Sequence, residues 1–141
     1  MKTIKPSPEL LVRLAKELIR SRYEKKGHHV VVAAVLLTKS GNVYQALNVG
    51  TYQPSISTCA EIVAIGLAHT AEPDMEIDTI VAVRDADPYV VAPCGKCREY
   101  IADYGPKAKV LMPAENKRGW TPVEIKKLLP LKYRKRECKC K

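Results

Sequence analysis

The sequence lacks any apolar run close to the ~18 residues that a membrane-spanning helix needs. Its N-terminus lacks the pattern of a signal peptide. It has no internal repeat and, outside a basic C-terminal tail, no low-complexity segment. Without an export signal we expect a cytoplasmic protein with reduced cysteines. In that compartment a Cys-x-x-Cys pair usually serves metal binding or catalysis.

The remaining composition is that of one globular domain. The 141 residues, 46% of them apolar, suffice for one sizeable core and are too few for two ordinary domains. We expect a single domain at 1–131 and a basic tail at 132–141, which contributes to the formal net charge of +9. Three interpretations of the tail stay open: a solvated segment, a phosphate or RNA contact, and a contact with a neighbouring subunit. Cys138 and Cys140 in the tail are most simply exposed thiols without a function.

Apolar periodicity predicts the order helix, hairpin, helix, strand, helix, strand, short strand, helix. This order predicts one mixed sheet with helices on both faces. The expected elements are a helix at 7–22, strands at 30–38 and 43–49, a helix at 59–68 after a loop, a strand at 77–83, a loop at 84–92, a helix at 94–104, a strand at 108–112, a short strand near Trp120, and a last helix to 129 capped by 121–124.

Three cysteines and one glutamate carry the chemistry that the sequence predicts. Cys94 and Cys97 form a Cys-x-x-Cys pair at the start of one predicted helix, and Cys59 lies at the start of another. Zinc binds thiolates well, and three protein ligands leave the fourth tetrahedral position open, as in catalytic sites. Glu61 follows Cys59 by two residues, where its carboxylate can exchange protons with water near the metal. The pattern predicts a zinc-dependent hydrolytic site.

The segments Cys59-Ala60-Glu61 and Pro93-Cys94-Gly95-Lys96-Cys97-Arg98 resemble the small zinc-dependent cytidine deaminases, including blasticidin S deaminase-like members. The resemblance extends over about 30–133. It implies an α/β fold of three layers, α/β/α, around a mixed five-stranded sheet. It implies Zn2+ held by the three cysteines, with the glutamate as the catalytic residue. It also implies a homotetramer in which neighbouring subunits complete each pocket.

The same resemblance assigns the substrate contacts. Asn48 lies where an asparagine binds the sugar hydroxyl, and the backbone N–H of Ala60 is expected to meet the pyrimidine ring. The start of the first strand lines the pocket in similar enzymes, which makes His29, or its neighbour His28, a candidate. A metal-binding role for these histidines or for His69 is an alternative.

Three departures from the cytidine deaminase pattern bear on the substrate. Gly50 replaces a ribose-binding glutamate, and the chain has no phenylalanine to match the one in their pocket. Ile62 replaces an arginine that offsets the negative charge of three thiolates around zinc. Blasticidin S deaminases are also apolar there and carry a basic residue in the Cys-Gly-x-Cys turn, where this chain has Lys96. We therefore expect Lys96, or its rival Arg98, to compensate the thiolate charge.

The leading functional prediction is hydrolysis of cytidine or deoxycytidine to uridine or deoxyuridine and ammonia. The departures favour, as an alternative, a blasticidin S-like or other modified aminopyrimidine nucleoside. The predicted antiparallel strand near Trp120 resembles deaminases of small free nucleosides more than those of nucleotides or transfer RNA. A third hypothesis from another class is a basic RNA-binding module in which zinc is only structural.

Overall fold

The computed structural model describes residues 5–23 and 31–135. The described elements follow the predicted alternation of helices and strands. In chain order they are α1 (Pro8–Arg22), β1 (Val32–Thr38), β2 (Val43–Leu47), a 3-10 turn (Pro54–Ile56), α2 (Ala60–Ala71), β3 (Ile77–Arg84), β4 (Tyr89–Val91), α3 (Gly95–Tyr104), β5 (Lys109–Pro113), β6 (Trp120–Glu124) and α4 (Ile125–Leu128).

The first helix begins as its sequence predicts. The Ser7 hydroxyl accepts a hydrogen bond from the backbone N–H of Leu10, and Pro8 occupies the first helical position. Leu11 and Ile19 lie on one side of the helix and are fully buried against the sheet. Each such side chain contributes roughly 1.5–3 kcal/mol through the apolar surface that it removes from water. Helix α1 therefore forms one outer layer of the domain.

The sheet separates two cores. Its strand order is β2-β1-β3-β5-β6, and β4 pairs with β3 at the same edge as β5. The β3–β5 pair is parallel and the other pairs are antiparallel. One face packs against α1, and the opposite face packs against α2, α3 and α4. The three-layer α/β/α architecture predicted from the sequence is confirmed.

Strand β4 is an addition to the predicted sheet, which therefore has six strands instead of five. It lies inside the segment expected to be a loop. Val90 is buried there and pairs with Val83 of β3. Three residues are too few for the period-two pattern by which a strand is recognised in a sequence.

The last helix also begins later than its capping pattern suggested. Residues 121–124 continue β6, because β6 pairs with β5 as far as the Lys109–Glu124 pair. The backbone hydrogen bonds of the sheet override the local preference for a helix cap, so α4 begins at Ile125.

A single carboxylate fastens the β1–β2 hairpin to the end of α2. Glu72 follows the last helical residue and accepts hydrogen bonds from Ser40 Oγ at 2.6 Å, Tyr44 Oη at 2.7 Å and Asn42 Nδ2 at 2.9 Å. The Thr38 hydroxyl lies at 3.3 Å from the same carboxylate. Hydrogen bonds from Ser40, Tyr44 and Asn42 lower the pKa of Glu72 below its ordinary value. We call this group the Glu72 clasp.

The segment after α4 returns to α3. Lys132, the first residue of the predicted tail, pairs with Glu99 at 3.1 Å and Asp103 at 2.8 Å, and its side chain is only 12% exposed. The remaining tail, 136–141, with Cys138 and Cys140, lies outside the described residues. Within the described ranges, no helix has the length and apolarity to cross a bilayer.

Candidate active site

A pair of backbone hydrogen bonds closes the loop that leads into α2. The Val49 N–H donates to the Thr58 carbonyl and the Thr58 N–H to the Val49 carbonyl, both at 2.9 Å. Asn48 precedes one member of this bridge and Cys59 follows the other, so residues eleven apart in sequence become close neighbours. Cys59 is the N-cap of α2, so the helix begins at Ala60 and not at residue 59 as predicted. The bridge continues the strand-like backbone through Thr58 and moves the start of the helix by one position.

The three predicted metal ligands form one cluster at two helix N-termini. Cys59 precedes α2, Cys94 is the N-cap of α3, and Cys97 lies in the first turn of α3. Their sulfur atoms all lie within 4.8 Å of one another, and the Cys59 and Cys94 sulfurs are 3.7 Å apart. Zn–S bonds of about 2.3 Å in a tetrahedron require sulfur separations of roughly 3.8 Å. The donor atoms and their spacing therefore fit a zinc ion.

The environment of the sulfurs explains why a cation is needed to hold them as thiolates. Burial raises the pKa of the Cys97 thiol far above its ordinary value, and burial also raises the pKa of Cys59. Burial opposes ionisation of Cys94 as well, but hydrogen bonds from the backbone N–H and thiol of Cys97 lower the pKa of Cys94. Three thiolates packed this closely repel one another, and a divalent ion removes that repulsion.

Glu61 occupies the first turn of α2, where a charged side chain on an apolar helix is unusual. It is 5% exposed and lines the same cleft as Cys59 and Cys94. Burial raises the pKa of Glu61, while its own backbone N–H and the Cys97 thiol act in the opposite direction. A buried carboxyl beside the cysteine cluster, with one side on a cleft, is suited to exchange protons with a bound ligand.

The cleft above the cluster has a volume of about 380 Å³. This volume is within the range of small-molecule sites, roughly 300–1,000 Å³. Two of the predicted substrate contacts, Asn48 and Ala60, line it. The Asn48 Oδ1 accepts hydrogen bonds from the N–H groups of Val31 and Val32, at 2.9 and 3.0 Å. This oxygen therefore positions the start of β1 beside the cleft.

The structure also places Arg84 in the lining of the cleft, a residue that the sequence interpretation left in a loop. Arg84 is instead the last residue of β3. Its alternation with Ile80 and Ala82 along the strand was the available signal, since all three share one side of the sheet. Because the predicted loop begins at residue 84, Arg84 was not predicted to be part of the strand.

The two cations proposed to compensate the thiolates lie in different surroundings. Lys96 is exposed in the first turn of α3, between two of the cysteines. Arg98 is half-buried, and it donates from Nε to the Pro93 carbonyl at 3.0 Å and from Nη1 to the Leu128 carbonyl at 3.1 Å. Arg98 thus joins the cysteine turn to the end of α4.

Of the three histidines, only His69 is among the described residues, and it does not join the cysteine cluster. His69 lies in the last turn of α2, where its ring meets Tyr104 edge-on at a centroid distance of 5.3 Å. His28 and His29 lie outside the described residues. Across 5–23 and 31–135, the only set of three or more side chains of the usual metal-binding types with this spacing is the cysteine triad.

Comparisons of the sequence identify related proteins. A family model described as the cytidine and deoxycytidylate deaminase zinc-binding region matches residues 6–112. The blasticidin-S deaminase of Bacillus cereus is 41% identical over 130 residues, covering 87% of this chain and 89% of that protein. A probable cytidine deaminase of Dictyostelium discoideum is 30% identical over 77 residues, covering 55% of this chain and 52% of that protein.

Solved structures share the fold. The cytidine deaminase of Burkholderia pseudomallei has a TM-score of 0.73 and 26% identity, covering 91% of this chain and all of that one (100%). The cytidine deaminase of Mycobacterium leprae has a TM-score of 0.71 and 21% identity, covering 86% of this chain and 96% of that one. The chain therefore belongs to the cytidine and deoxycytidylate deaminase family, and it is a zinc-dependent hydrolase of a C–N bond.

Proposed function

We propose that this protein deaminates a free cytosine nucleoside and that a modified nucleoside, of the type that blasticidin-S deaminases are named for, is preferred to cytidine. The observation that carries the chemistry is the buried Glu61 that lines one cleft together with Cys59 and Cys94, two members of the cluster of three sulfurs. The preference within that chemistry is supported by the relative that is 41% identical along most of its length. Gly50 and Ile62, which depart from the cytidine deaminase pattern, and Lys96, which resembles the basic residue of blasticidin S deaminases, support the same preference. Cytidine and deoxycytidine remain the second candidates.

The described side chains divide the reaction among them. Zinc, when bound by the three cysteines, supplies the Lewis acid that makes water a competent nucleophile at neutral pH. The Glu61 carboxylate accepts a proton from the attacking water and delivers it to the ring nitrogen, and a second proton transfer releases ammonia. The N–H of Ala60 is at the start of α2, where backbone donors lack partners within the helix, and it binds the pyrimidine. Asn48 binds the sugar.

The arrangement of the last strands supports a small substrate. Strands β5 and β6 are antiparallel neighbours, as predicted from the sequence. This arrangement resembles that of deaminases of free nucleosides. The cleft volume of about 380 Å³ is sufficient for a single nucleoside. The buried position of Glu61 also favours an enzyme over an RNA-binding module with structural zinc, because burying a carboxylate without a catalytic purpose is unfavourable.

A substrate panel tests the proposal. The zinc-loaded protein should release ammonia from blasticidin S, cytidine and deoxycytidine, with an ultraviolet change that marks conversion of cytosine to uracil. We expect kcat/KM for blasticidin S to exceed the value for cytidine by at least about tenfold, an order of discrimination that one or two pocket contacts supply. Adenosine and the base cytosine serve as controls that should not be converted. Ammonia release from none of the cytosine nucleosides would refute the proposed function.

We also propose that Lys96 provides the charge compensation, because Arg98 already donates to two backbone carbonyls. Lys96→Ala should lower turnover roughly fivefold and reduce zinc occupancy, since an exposed charge acts modestly through solvent. Lys96→Arg should retain most of both. Lys107→Ala, at an exposed lysine away from the cleft, is the matched control. Unchanged zinc occupancy and turnover in Lys96→Ala would exclude this role.

We extend the proposal to assembly and location. The outer side of α2 is apolar, with Leu67 and Gly66 exposed and Ile62 and Val63 half-buried, which supports association of several copies into a homotetramer. Size-exclusion chromatography with light scattering measures this directly, and a monomeric mass would contradict it. The three described cysteines form no disulfide, which is compatible with the reducing cytoplasm.

A further inference from the structure

Arg84 lies on the side of the sheet that bears the catalytic residues. Ala82, two residues earlier in β3, belongs to the core beneath α2, whereas Val83 belongs to the core beneath α1. Because side chains along a strand alternate between the two faces, Arg84 shares the α2 face with Ala82. It reaches the same cleft as Asn48 and Glu61.

The neighbours of Arg84 place it near the expected sugar position. Arg84 pairs with Val32 across the β1–β3 ladder, and the N–H of Val32 donates to Asn48 Oδ1 at 3.0 Å. Arg84, Val32 and Asn48 therefore form one row across three neighbouring chain segments at the mouth of the cleft. If Asn48 binds the sugar, as in the proposed function on which this inference rests, the guanidinium lies on the sugar side of the ligand.

The charge and hydrogen bonding of Arg84 suit an anion. Among the described residues that line the cleft, it is the only cation. Its contact in the described part of the chain is one hydrogen bond, from Nε to the Asp85 Oδ1 at 3.3 Å, between side chains that are 52% and 40% exposed. Such exposed pairs are weak. A guanidinium has five N–H donors in a planar arrangement that binds carboxylate or phosphate through two parallel hydrogen bonds.

We propose that Arg84 binds an anionic substituent, a carboxylate or a phosphate, on the sugar side of the nucleoside and so determines which nucleosides are good substrates. The base and the reacting carbon are recognised by Glu61 and the residues next to it, Cys59 and Cys94, which line the same cleft. Arg84 takes no part in proton transfer. Its contribution is selectivity for anionic over neutral nucleosides.

Substitution of Asp85 gives an independent test of anion binding by Arg84. Its backbone has a φ of 70°, in the left-handed region that asparagine and aspartate adopt more readily than most residues. Its N–H donates to the Val31 carbonyl at 3.1 Å. Asp85→Asn therefore preserves the turn and removes the carboxylate that competes with a bound anion. Arg84→Gln and Asp85→Asn should change anion selectivity in opposite directions.

The test compares three compounds that share the cytosine base: cytidine, its nucleotide cytidine 5′-monophosphate, and the cytidine derivative with a 5′-carboxylate. In the wild-type protein we expect a higher kcat/KM for at least one anionic compound than for cytidine. Arg84→Gln should reduce that ratio about tenfold, as expected for a charge-assisted hydrogen bond at a partly exposed site. Arg84→Lys should retain part of it, and Asp85→Asn should raise it. Selectivity for only one anionic compound identifies phosphate or carboxylate as the recognised group.

The control variant is Arg13→Gln, at an arginine on α1 that pairs with Glu17 and lies away from the cleft. The proposal is overturned if Arg84→Gln leaves the ratio within twofold of the wild-type value, or if wild type prefers neutral cytidine. Calorimetric binding of uridine, uridine 5′-monophosphate and uridine 5′-carboxylate needs no turnover. If wild type releases no ammonia, the proposed function fails, and the anion preference in these binding data still decides the role of Arg84.

Discussion

Replacing Glu61 by glutamine is expected to remove nearly all deaminase activity while the protein stays folded and binds zinc. Glutamine has almost the same shape as glutamate, but its amide cannot accept and return a proton. General acid and base catalysis by a positioned side chain accounts for about 10²- to 10⁴-fold in rate, and Glu61 serves both steps, so kcat should fall by at least about 10³-fold. Glutamine also keeps the size of the buried side chain, so the melting temperature should stay close to the wild-type value.

The measurement is ammonia release together with zinc content and thermal unfolding of the same preparation. Glu115→Gln makes the same chemical change at an exposed glutamate on the β5–β6 turn and should behave as wild type. Turnover of Glu61→Gln within a few-fold of wild type would show that another group moves the protons. A loss of zinc in Glu61→Gln would show that the carboxylate is a ligand.

Replacing Cys97 by serine is expected to remove zinc and activity together. Cys97 is fully buried in the first turn of α3, and its sulfur lies within 4.8 Å of the other two. A serine hydroxyl is a poor zinc ligand at neutral pH, and the remaining two thiolates cannot enclose the ion. Turnover should fall by at least about 10³-fold, because the site loses the Lewis acid that activates water.

A second readout separates metal loss from simple misfolding. Zinc bound by the three cysteines would join the start of α2 to the start of α3, so chelation should lower the melting temperature of the wild-type protein. The melting temperature of Cys97→Ser should not respond to the chelator, although the variant still unfolds cooperatively. Cys138→Ser, at a cysteine of the basic tail for which the sequence predicts no function, should retain wild-type zinc content and its response to chelation. Full zinc occupancy in Cys97→Ser would contradict the assigned ligand set.

Much of the candidate site could be predicted because its reactive residues lie in short segments with recognisable motifs. The three cysteines and Glu61 lie at helix starts, and the apolar length of α2 and the turn at Gly105 define where those helices run. Gly105 is required there by close packing, since a side-chain carbon at this position would approach the Ile77 carbonyl oxygen to 2.7 Å. Local pattern and chemical requirement agree at these positions.

The remaining features depend on contacts between distant segments, which spacing along the chain does not reveal. Strand β4 forms because its three residues pair with β3. Helix α4 begins later than predicted because residues 121–124 of β6 pair with β5. Arg84 enters the cleft only through the register of β3 against β1. The donation of Arg98 to Leu128 likewise joins residues thirty apart. In each case the feature depends on hydrogen bonds to the backbone of another segment of the chain, so a short stretch of sequence does not predict it.

The Glu72 clasp has a consequence at the opposite end of the hairpin. Since successive side chains of a strand face opposite layers, a slip of one residue between β1 and β2 would point Tyr44 away from α2 and from Glu72. The Glu72 clasp therefore favours the observed register between β1 and β2. The same alignment decides where the chain after β2 delivers Asn48 opposite Val32. A surface carboxylate remote from the cleft thereby sets the position of a residue at its mouth.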